Sequence, residues 1–157
     1  RRIAEPAGEG LHFCTLFHLL LERLTSGPPL APSALRDAMG MTEAEFVPLW
    51  EAAQRLLKQP DLQRFFHPGH YVRAMNEVAC VDATGALRRI DRLVECRDVF
   101  WIIDYKSGAL PDDRALLARY DAQLAGYRDA ISAMYPRKPV RAMLIFSSGE
   151  TREPAVA

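Results

Sequence analysis

The spacing of apolar positions predicts that the first third of the chain is helical. In residues 11–24 apolar side chains recur every three or four positions, which is the period of an amphipathic helix, and the Ser-Gly-Pro-Pro run that follows ends it. Thr42 and Glu45 have the Thr-x-x-Glu spacing of a capping box, so a new helix is expected to start there. The predicted helices cover residues 11–24, 32–38, 42 up to the proline at 60 and, shorter, 62–66.

Beyond residue 67 the pattern changes to strands. Strands at 71–81 and 87–96 are separated by the turn sequence Asp-Ala-Thr-Gly, and Arg97-Asp98 leaves room for a two-residue hairpin into a third strand at 99–106. A helix is predicted at 112–134, a buried strand at 140–148 and a short extended segment at 151–156. This order predicts an α/β fold: a mixed central sheet flanked by helices, with an N-terminal helical portion.

The very apolar third strand leads into charged side chains. Because side chains alternate between the faces of a strand, Asp104 and Lys106 lie on one face, with Cα atoms about 6.5–7 Å apart. A two-residue hairpin would place Val99 opposite Cys96 and, by the same count, Asp104 opposite Asp91. The sequence therefore predicts that two carboxylates and one lysine converge at one end of the sheet.

Such a group suits hydrolysis of a phosphodiester. Two close carboxylates repel each other, so either one takes up a proton or the pair binds a hard cation such as Mg²⁺. The metal polarises phosphate and activates water, and the lysine positions that water or offsets developing negative charge. A lone Asp-x-Lys triplet is more often a surface ion pair that closes a strand. The added Asp91, its register and the apolar strand favour the catalytic interpretation.

Composition narrows the class of protein. The chain has 157 residues, is 49% hydrophobic and balances 20 basic against 20 acidic side chains, which is typical of one compact domain, 1–157. Three scattered cysteines without a C-x-x-C motif favour reduced thiols over a disulfide framework, a zinc ribbon or an iron–sulfur cluster. No apolar run could cross a membrane and no signal peptide is recognisable, so a cytoplasmic protein with no membrane partner is expected. The start at Arg1 favours a domain cut from a longer polypeptide.

The segments "IDRL" (90–93) and "WIIDYKSG" (101–108) resemble the PD-(D/E)XK nuclease superfamily. More narrowly, they resemble the RecB-like or AddA-like nuclease domain at the C-terminus of UvrD-type helicase–nucleases. Three more segments agree with that family in order and position, and the resemblance spans residues 18–146. They are "TLFHLLLERL" (15–24), "NEVA" (76–79) and "YDAQLAGY" (120–127). A restriction-endonuclease-like core is the fold that this resemblance implies.

The resemblance also implies roles for single residues. Arg88, Arg89 and Arg92 lie near the acids and either meet a DNA backbone or form a solvated strand edge. Gln123 and Tyr127 are four residues apart and share a helix face, where they contact DNA phosphate or brace the carboxylates, or else merely pack on the sheet. The implied metal ligands are His18, Asp91, Asp104 and the backbone carbonyl of Tyr105; the implied catalytic set is Asp91, Asp104, Lys106, Glu77, Gln123 and Tyr127. His18 alone would be read as a core histidine, and Glu77 either orients a water or holds a second metal.

Cofactors and partners follow from the same resemblance. Mg²⁺ is expected, with Mn²⁺ as an alternative, and no iron–sulfur cluster. There is no G-x-x-x-x-G-K-[ST] loop and hence no ATP site in this chain, so a helicase domain is expected on the same polypeptide and a second helicase–nuclease subunit is a further candidate partner. The substrate would be single-stranded DNA or a duplex end.

The leading hypothesis is a Mg²⁺-dependent deoxyribonuclease of the exodeoxyribonuclease V type, a hydrolase of ester bonds that acts in double-strand-break processing and recombination. The alternative is a catalytically silent module that binds DNA or serves as a scaffold in a helicase complex.

Overall fold

The computed structural model describes residues 9–155, with side chains from residue 12 onward. This part of the chain contains five α-helices, five strands and two short 3₁₀ turns. They are α1 (Glu9–Thr25), α2 (Pro32–Ala38), α3 (Glu43–Lys58), a 3₁₀ turn (Pro60–Leu62), α4 (Gln63–Phe66), a 3₁₀ turn (Pro68–His70), β1 (Arg73–Val81), β2 (Leu87–Glu95), β3 (Phe100–Lys106), α5 (Arg114–Met134), β4 (Val140–Phe146) and β5 (Thr151–Arg152).

The strands form one mixed sheet in the order β1-β2-β3-β4-β5. β1, β2 and β3 are an antiparallel meander, β4 runs parallel to β3, and β5 is antiparallel to β4. Helix α5 makes the crossover between β3 and β4, as a parallel pair requires. The predicted mixed sheet flanked by helices is confirmed.

β3 is the central strand and is buried on both faces. Its residues alternate between two apolar clusters: Trp101, Ile103 and Tyr105 pack on the side of α1 and α3, while Phe100 and Ile102 pack on the side of α5. A strand covered on both faces has a nearly continuous apolar sequence, which explains the run that precedes Asp104.

The predicted hairpin register is also confirmed. The backbone N–H of Cys96 donates to the carbonyl of Val99 at 2.9 Å, which leaves a two-residue turn at Arg97 and Asp98. The ladder continues to Arg92 opposite Ile103, and the next step in that register sets Asp91 opposite Asp104.

Among the predicted boundaries that differ from the structure, two have clear local reasons. Helix α5 starts at Arg114 and not at residue 112, because the Asp113 carboxylate accepts from the backbone N–H groups of Ala115 and Leu116 and so caps the helix. The last extended segment pairs only at Thr151–Arg152. Pro154 has no N–H to continue the ladder, and residue 156 lies outside the described residues.

From residue 9 to residue 155, no helix combines the length and the apolar character that a membrane span needs.

Candidate active site

The end of β3 carries a buried ion pair. Lys106 Nζ lies 2.8 Å from Asp104 Oδ2, and both side chains emerge on the sheet face that α5 covers. The contact lacks hydrogen-bond alignment, and Asp104 Oδ2 has no hydrogen-bond partner among the described residues although Asp104 is only 5% exposed. This oxygen is therefore paired by charge alone, with the Lys106 ammonium, and a bound cation would share the oxygen with that ammonium.

Asp91 reaches the same place from β2. Its Oδ2 accepts from the backbone N–H of Tyr105 at 2.8 Å, so the carboxylate replaces a strand carbonyl where the β2–β3 ladder ends. Burial, and then the charge of Asp104, raise the pKa of Asp91 to about 7. A carboxyl group with this pKa is poised to exchange its proton for a cation near neutral pH.

His18 approaches from the middle of α1. Its Nε2 lies 2.9 Å from the carbonyl oxygen of Tyr105, and its Nδ1 lies 3.8 Å from Asp91 Oδ1. Burial lowers the pKa of His18, but the hydrogen bond with Cys14 and the charge of Asp91 outweigh it and raise the pKa to about 9. The predicted ligands His18, Asp91 and the Tyr105 carbonyl are therefore direct neighbours in the structure.

Cys14 is a neighbour of the site that the sequence reasoning missed. Its Sγ lies 3.7 Å from His18 Nε2, and the hydrogen bond with that ring lowers the pKa of the thiol. The signal was present, because residues four apart on a helix share a face.

Helix α5 supports the lysine from the other side. Lys106 Nζ donates to Gln123 Oε1 at 3.1 Å, and Gln123 Nε2 donates to the hydroxyl of Tyr127 at 3.0 Å. An ammonium group can only donate, so it fixes which end of the amide faces which neighbour. The ammonium also lies 4.6 Å from the ring centroid of Tyr120, one turn earlier. The structure thus places Gln123 and Tyr127 in a chain that leads directly to Lys106.

Glu77 lies at the margin of this group. In the β1–β2 register it falls opposite Asp91, and its charge contributes to the raised pKa of Asp91. Its Oε2 pairs with Arg89 Nη1 at 3.5 Å, and its φ of +53° is rare for a residue with a side chain. The structure does not join Glu77 by a hydrogen bond to the other candidate residues.

One of the three arginines was predicted to meet a DNA backbone or to lie at a solvated strand edge, and in the structure it does neither. Arg92 is 1% exposed, because β2 turns it toward the α1 side of the sheet, where it is enclosed between α4 and β1. Its guanidinium donates to the carbonyl of Phe65, to Asn76 Oδ1 and to the hydroxyl of Tyr71. Arg92 therefore organises the core and cannot meet a DNA backbone.

Comparison with known proteins places this geometry in a family. The model of the PD-(D/E)XK nuclease superfamily matches residues 4–157. The chain belongs to the PD-(D/E)XK nuclease superfamily. Its mixed five-stranded sheet between helices is the restriction-endonuclease-like fold of that superfamily, and the superfamily's chemistry is hydrolysis of phosphodiester bonds.

Two solved structures are similar to this member of the PD-(D/E)XK superfamily. A crystal structure of a "Putative exonuclease" from Eubacterium rectale has a TM-score of 0.57 and 14% identity, and the match covers 97% of this chain and 59% of that one. A crystal structure of SSO0001 has a TM-score of 0.35 and 18% identity, covering 94% of this chain and 78% of that one. The first likeness shows the fold alone, and this chain spans about three fifths of that protein. No curated protein matches the sequence.

PD-(D/E)XK nucleases generally use divalent metal ions. Within the described part of the chain, no three His, Cys, Asp or Glu side chains are grouped closely enough to hold a metal by themselves. Mg²⁺, however, is commonly held by one or two carboxylates while waters complete its shell. Asp91, Asp104 and the Tyr105 carbonyl supply oxygen donors of that kind, with Asp104 Oδ2 shared with the Lys106 ammonium, so the residues present fit such an ion.

Proposed function

We propose that this chain is a divalent-metal-dependent DNA nuclease domain. The observation that carries the proposal is the group at the end of β3, where the carboxylates of buried Asp104 and mostly buried Asp91 meet the ammonium of Lys106 and the pKa of Asp91 is raised to about 7.

His18, Asp91, Asp104 and the carbonyl of Tyr105 would hold the metal, Mg²⁺ or Mn²⁺. When bound, the ion would polarise the scissile phosphate and lower the pKa of a water. His18 Nε2 and the Tyr105 carbonyl oxygen are 2.9 Å apart, so both would be near the same ion once the ring releases the proton that it donates.

Lys106 is the proposed catalytic lysine. Its ammonium is held by Asp104 and by Gln123, so its charge and its donor direction are set before substrate arrives. It would orient the attacking water or offset charge that develops on the phosphate, which is stabilisation by a preorganised group. Tyr127 keeps Gln123 in place, and Glu77 would act on a water at the margin of the site.

We further propose that the chain is the nuclease part of a longer helicase–nuclease polypeptide of the RecB and AddA kind. It would act as an exonuclease on strands that the helicase delivers during double-strand-break processing. The support is the ordered motif set together with the similarity to a longer protein described as an exonuclease.

The test is cleavage of labelled single-stranded and blunt duplex DNA in Mg²⁺, Mn²⁺ or EDTA. Asp104→Asn and Lys106→Met are expected to reduce metal-dependent cleavage by at least about 100-fold. The matched control is Lys58→Met, which removes an exposed lysine on α3 and is expected to retain wild-type cleavage. Equal cleavage by the wild type and both site variants would overturn the proposal, as would bound DNA with neither metal binding nor cleavage.

A further inference from the structure

A small cleft lies beside the candidate active site, between the tip of the β1–β2 hairpin and helix α5. Its volume is about 160 Å³, which is below the roughly 300–1,000 Å³ of clefts that enclose whole small molecules. Gln123 and Tyr127 line this cleft and also form the hydrogen-bond chain that supports Lys106, so the cleft and the candidate active site are adjacent. The cleft has room for a group of the size of a phosphate.

Arg88 brings a positive charge to the cleft. Its Nε donates to Asp82 Oδ2 at 2.8 Å, and no described residue pairs with its two Nη groups. Asp82 is itself fixed, because it accepts from the backbone N–H groups of Thr84 and Ala86 and from the Thr84 hydroxyl. The carboxylate therefore holds the arginine side chain in place while the ends of the guanidinium, which suit bidentate phosphate contacts, remain available.

Tyr127 adds a second donor. Lys106 fixes the oxygen end of the Gln123 amide toward itself, so the amide nitrogen must donate to the Tyr127 hydroxyl. That hydroxyl keeps its own proton, and no residue in the described range accepts it. The hydroxyl of Tyr127 thus has a hydrogen to give to a ligand in the cleft.

Gly126 keeps the cleft open. A Cβ built at this position would have no atom within 4 Å, although glycine in the middle of a helix lowers helix stability. A methyl group at this position would therefore meet no neighbouring atom, and a longer side chain would extend from the lining of the cleft.

We infer that this cleft binds a backbone phosphate of the nucleic acid strand, next to the phosphate that is cleaved. Arg88 and Tyr127 are its donors, Asp82 is the positioning residue for Arg88, and Gly126 provides the space. The inference rests on the proposed function, because the strand is taken to run through the neighbouring metal site. The cleft would fix the position of the strand relative to Asp104 and Lys106.

The test is binding of a fluorescent single-stranded oligonucleotide, measured by anisotropy in Ca²⁺ or EDTA over a range of salt concentrations. Arg88→Gln is expected to weaken binding about tenfold and to reduce the slope of log Kd against log salt by about 0.7, the value for one contact to a single strand. Gly126→Leu should weaken binding to a similar extent while the circular dichroism spectrum stays that of the wild type. Arg88→Lys should lie between Arg88→Gln and the wild type. The matched control, Arg97→Gln, removes an exposed arginine at the opposite end of the sheet and should bind like the wild type.

Cleavage assays separate this inference from the proposed function. If the wild type binds DNA in an Arg88-dependent way but does not cleave it, the cleft inference stands and the nuclease proposal fails. If the wild type cleaves while Arg88→Gln and Gly126→Leu match it in affinity and in salt slope, the cleft inference is overturned. It is also overturned if the wild type binds no oligonucleotide, or if Arg97→Gln weakens binding as much as Arg88→Gln.

Discussion

The Gln123 amide sets the direction of hydrogen bonding across the candidate site. It accepts from Lys106 and donates to Tyr127, so it connects the donor at the proposed reaction centre with the cleft beside it. Because the amide carries no charge, its contact holds the Lys106 ammonium without adding a second negative charge to that of Asp104. An amide suits this position because its acceptor oxygen and its donor nitrogen are separate atoms that face different neighbours.

Gln123→Ala should therefore lower kcat more than it raises KM. The lysine would keep its ion pair with Asp104 but lose the group that aims it, and loss of such a supporting contact typically costs about 10–100-fold in activity. Single-turnover cleavage under saturating metal measures the effect. Gln54→Ala on α3 is the matched control and is expected to be unchanged. An unchanged rate in Gln123→Ala would show that Lys106 needs no aiming partner.

Arg92 makes a second prediction at the scale of one residue. Arg92→Ala would leave the Phe65 carbonyl and Asn76 Oδ1 buried without their donor and would open a cavity beneath α4. We expect a loss of about 2–4 kcal/mol in the free energy of unfolding, measured by urea denaturation. Arg97→Ala, an exposed arginine in the β2–β3 turn, should stay within about 0.5 kcal/mol of the wild type. A small loss in Arg92→Ala would mean that the core repacks around the missing guanidinium.

At the scale of elements, the start of α5 determines where Gln123 and Tyr127 lie. Asp113 caps the helix through two backbone N–H groups, whereas no described contact involves the side chain of its neighbour Asp112. Asp113→Ala should lower the free energy of unfolding by about 1 kcal/mol, and Asp112→Ala should leave it nearly unchanged. Thermal denaturation of both variants at low salt measures the difference. Equal losses would point to a general charge effect at the helix start.

The elements show what a sequence pattern can determine. The strand register at Asp91 and Asp104 was predictable because a two-residue hairpin leaves one way to count, and the apolar run of β3 reported its burial on both faces. The burial of Arg92 was not predictable, because it depends on where α4 packs against β2. The left-handed backbone conformation of Glu77 was not predictable either, because no local residue pattern indicates it. Contacts between distant segments determined these outcomes.

At the scale of the whole molecule, the candidate site lowers the stability of the metal-free fold. The sheet brings Asp91 and Asp104 together in a buried place, so the metal-free protein carries a repulsion that a bound cation would remove. Sites arranged for function often carry such costs, and relieving them raises stability. Folding and metal binding should therefore be linked in this protein.

Asp91→Asn tests this linkage. The asparagine can still accept from the Tyr105 N–H, but it carries no charge, so the metal-free variant should be more stable than the wild type by about 1 kcal/mol near pH 8. The folded-state pKa of Asp91, about 7, lies above its unfolded value. The cost of its charge is thus absent below the unfolded pKa of about 4, grows as the pH rises toward 7 and is complete above that, so the difference between the two proteins should shrink toward pH 5. Melting curves of both proteins in EDTA at pH 5 and pH 8, and again with Mn²⁺, compare wild type and variant under four conditions.

Mn²⁺ should raise the melting temperature of the wild type and have little effect on that of the variant. A variant that is less stable than the wild type in EDTA at pH 8, or one that Mn²⁺ stabilises equally, would show that Asp91 does not carry the repulsion and the metal affinity assigned to it.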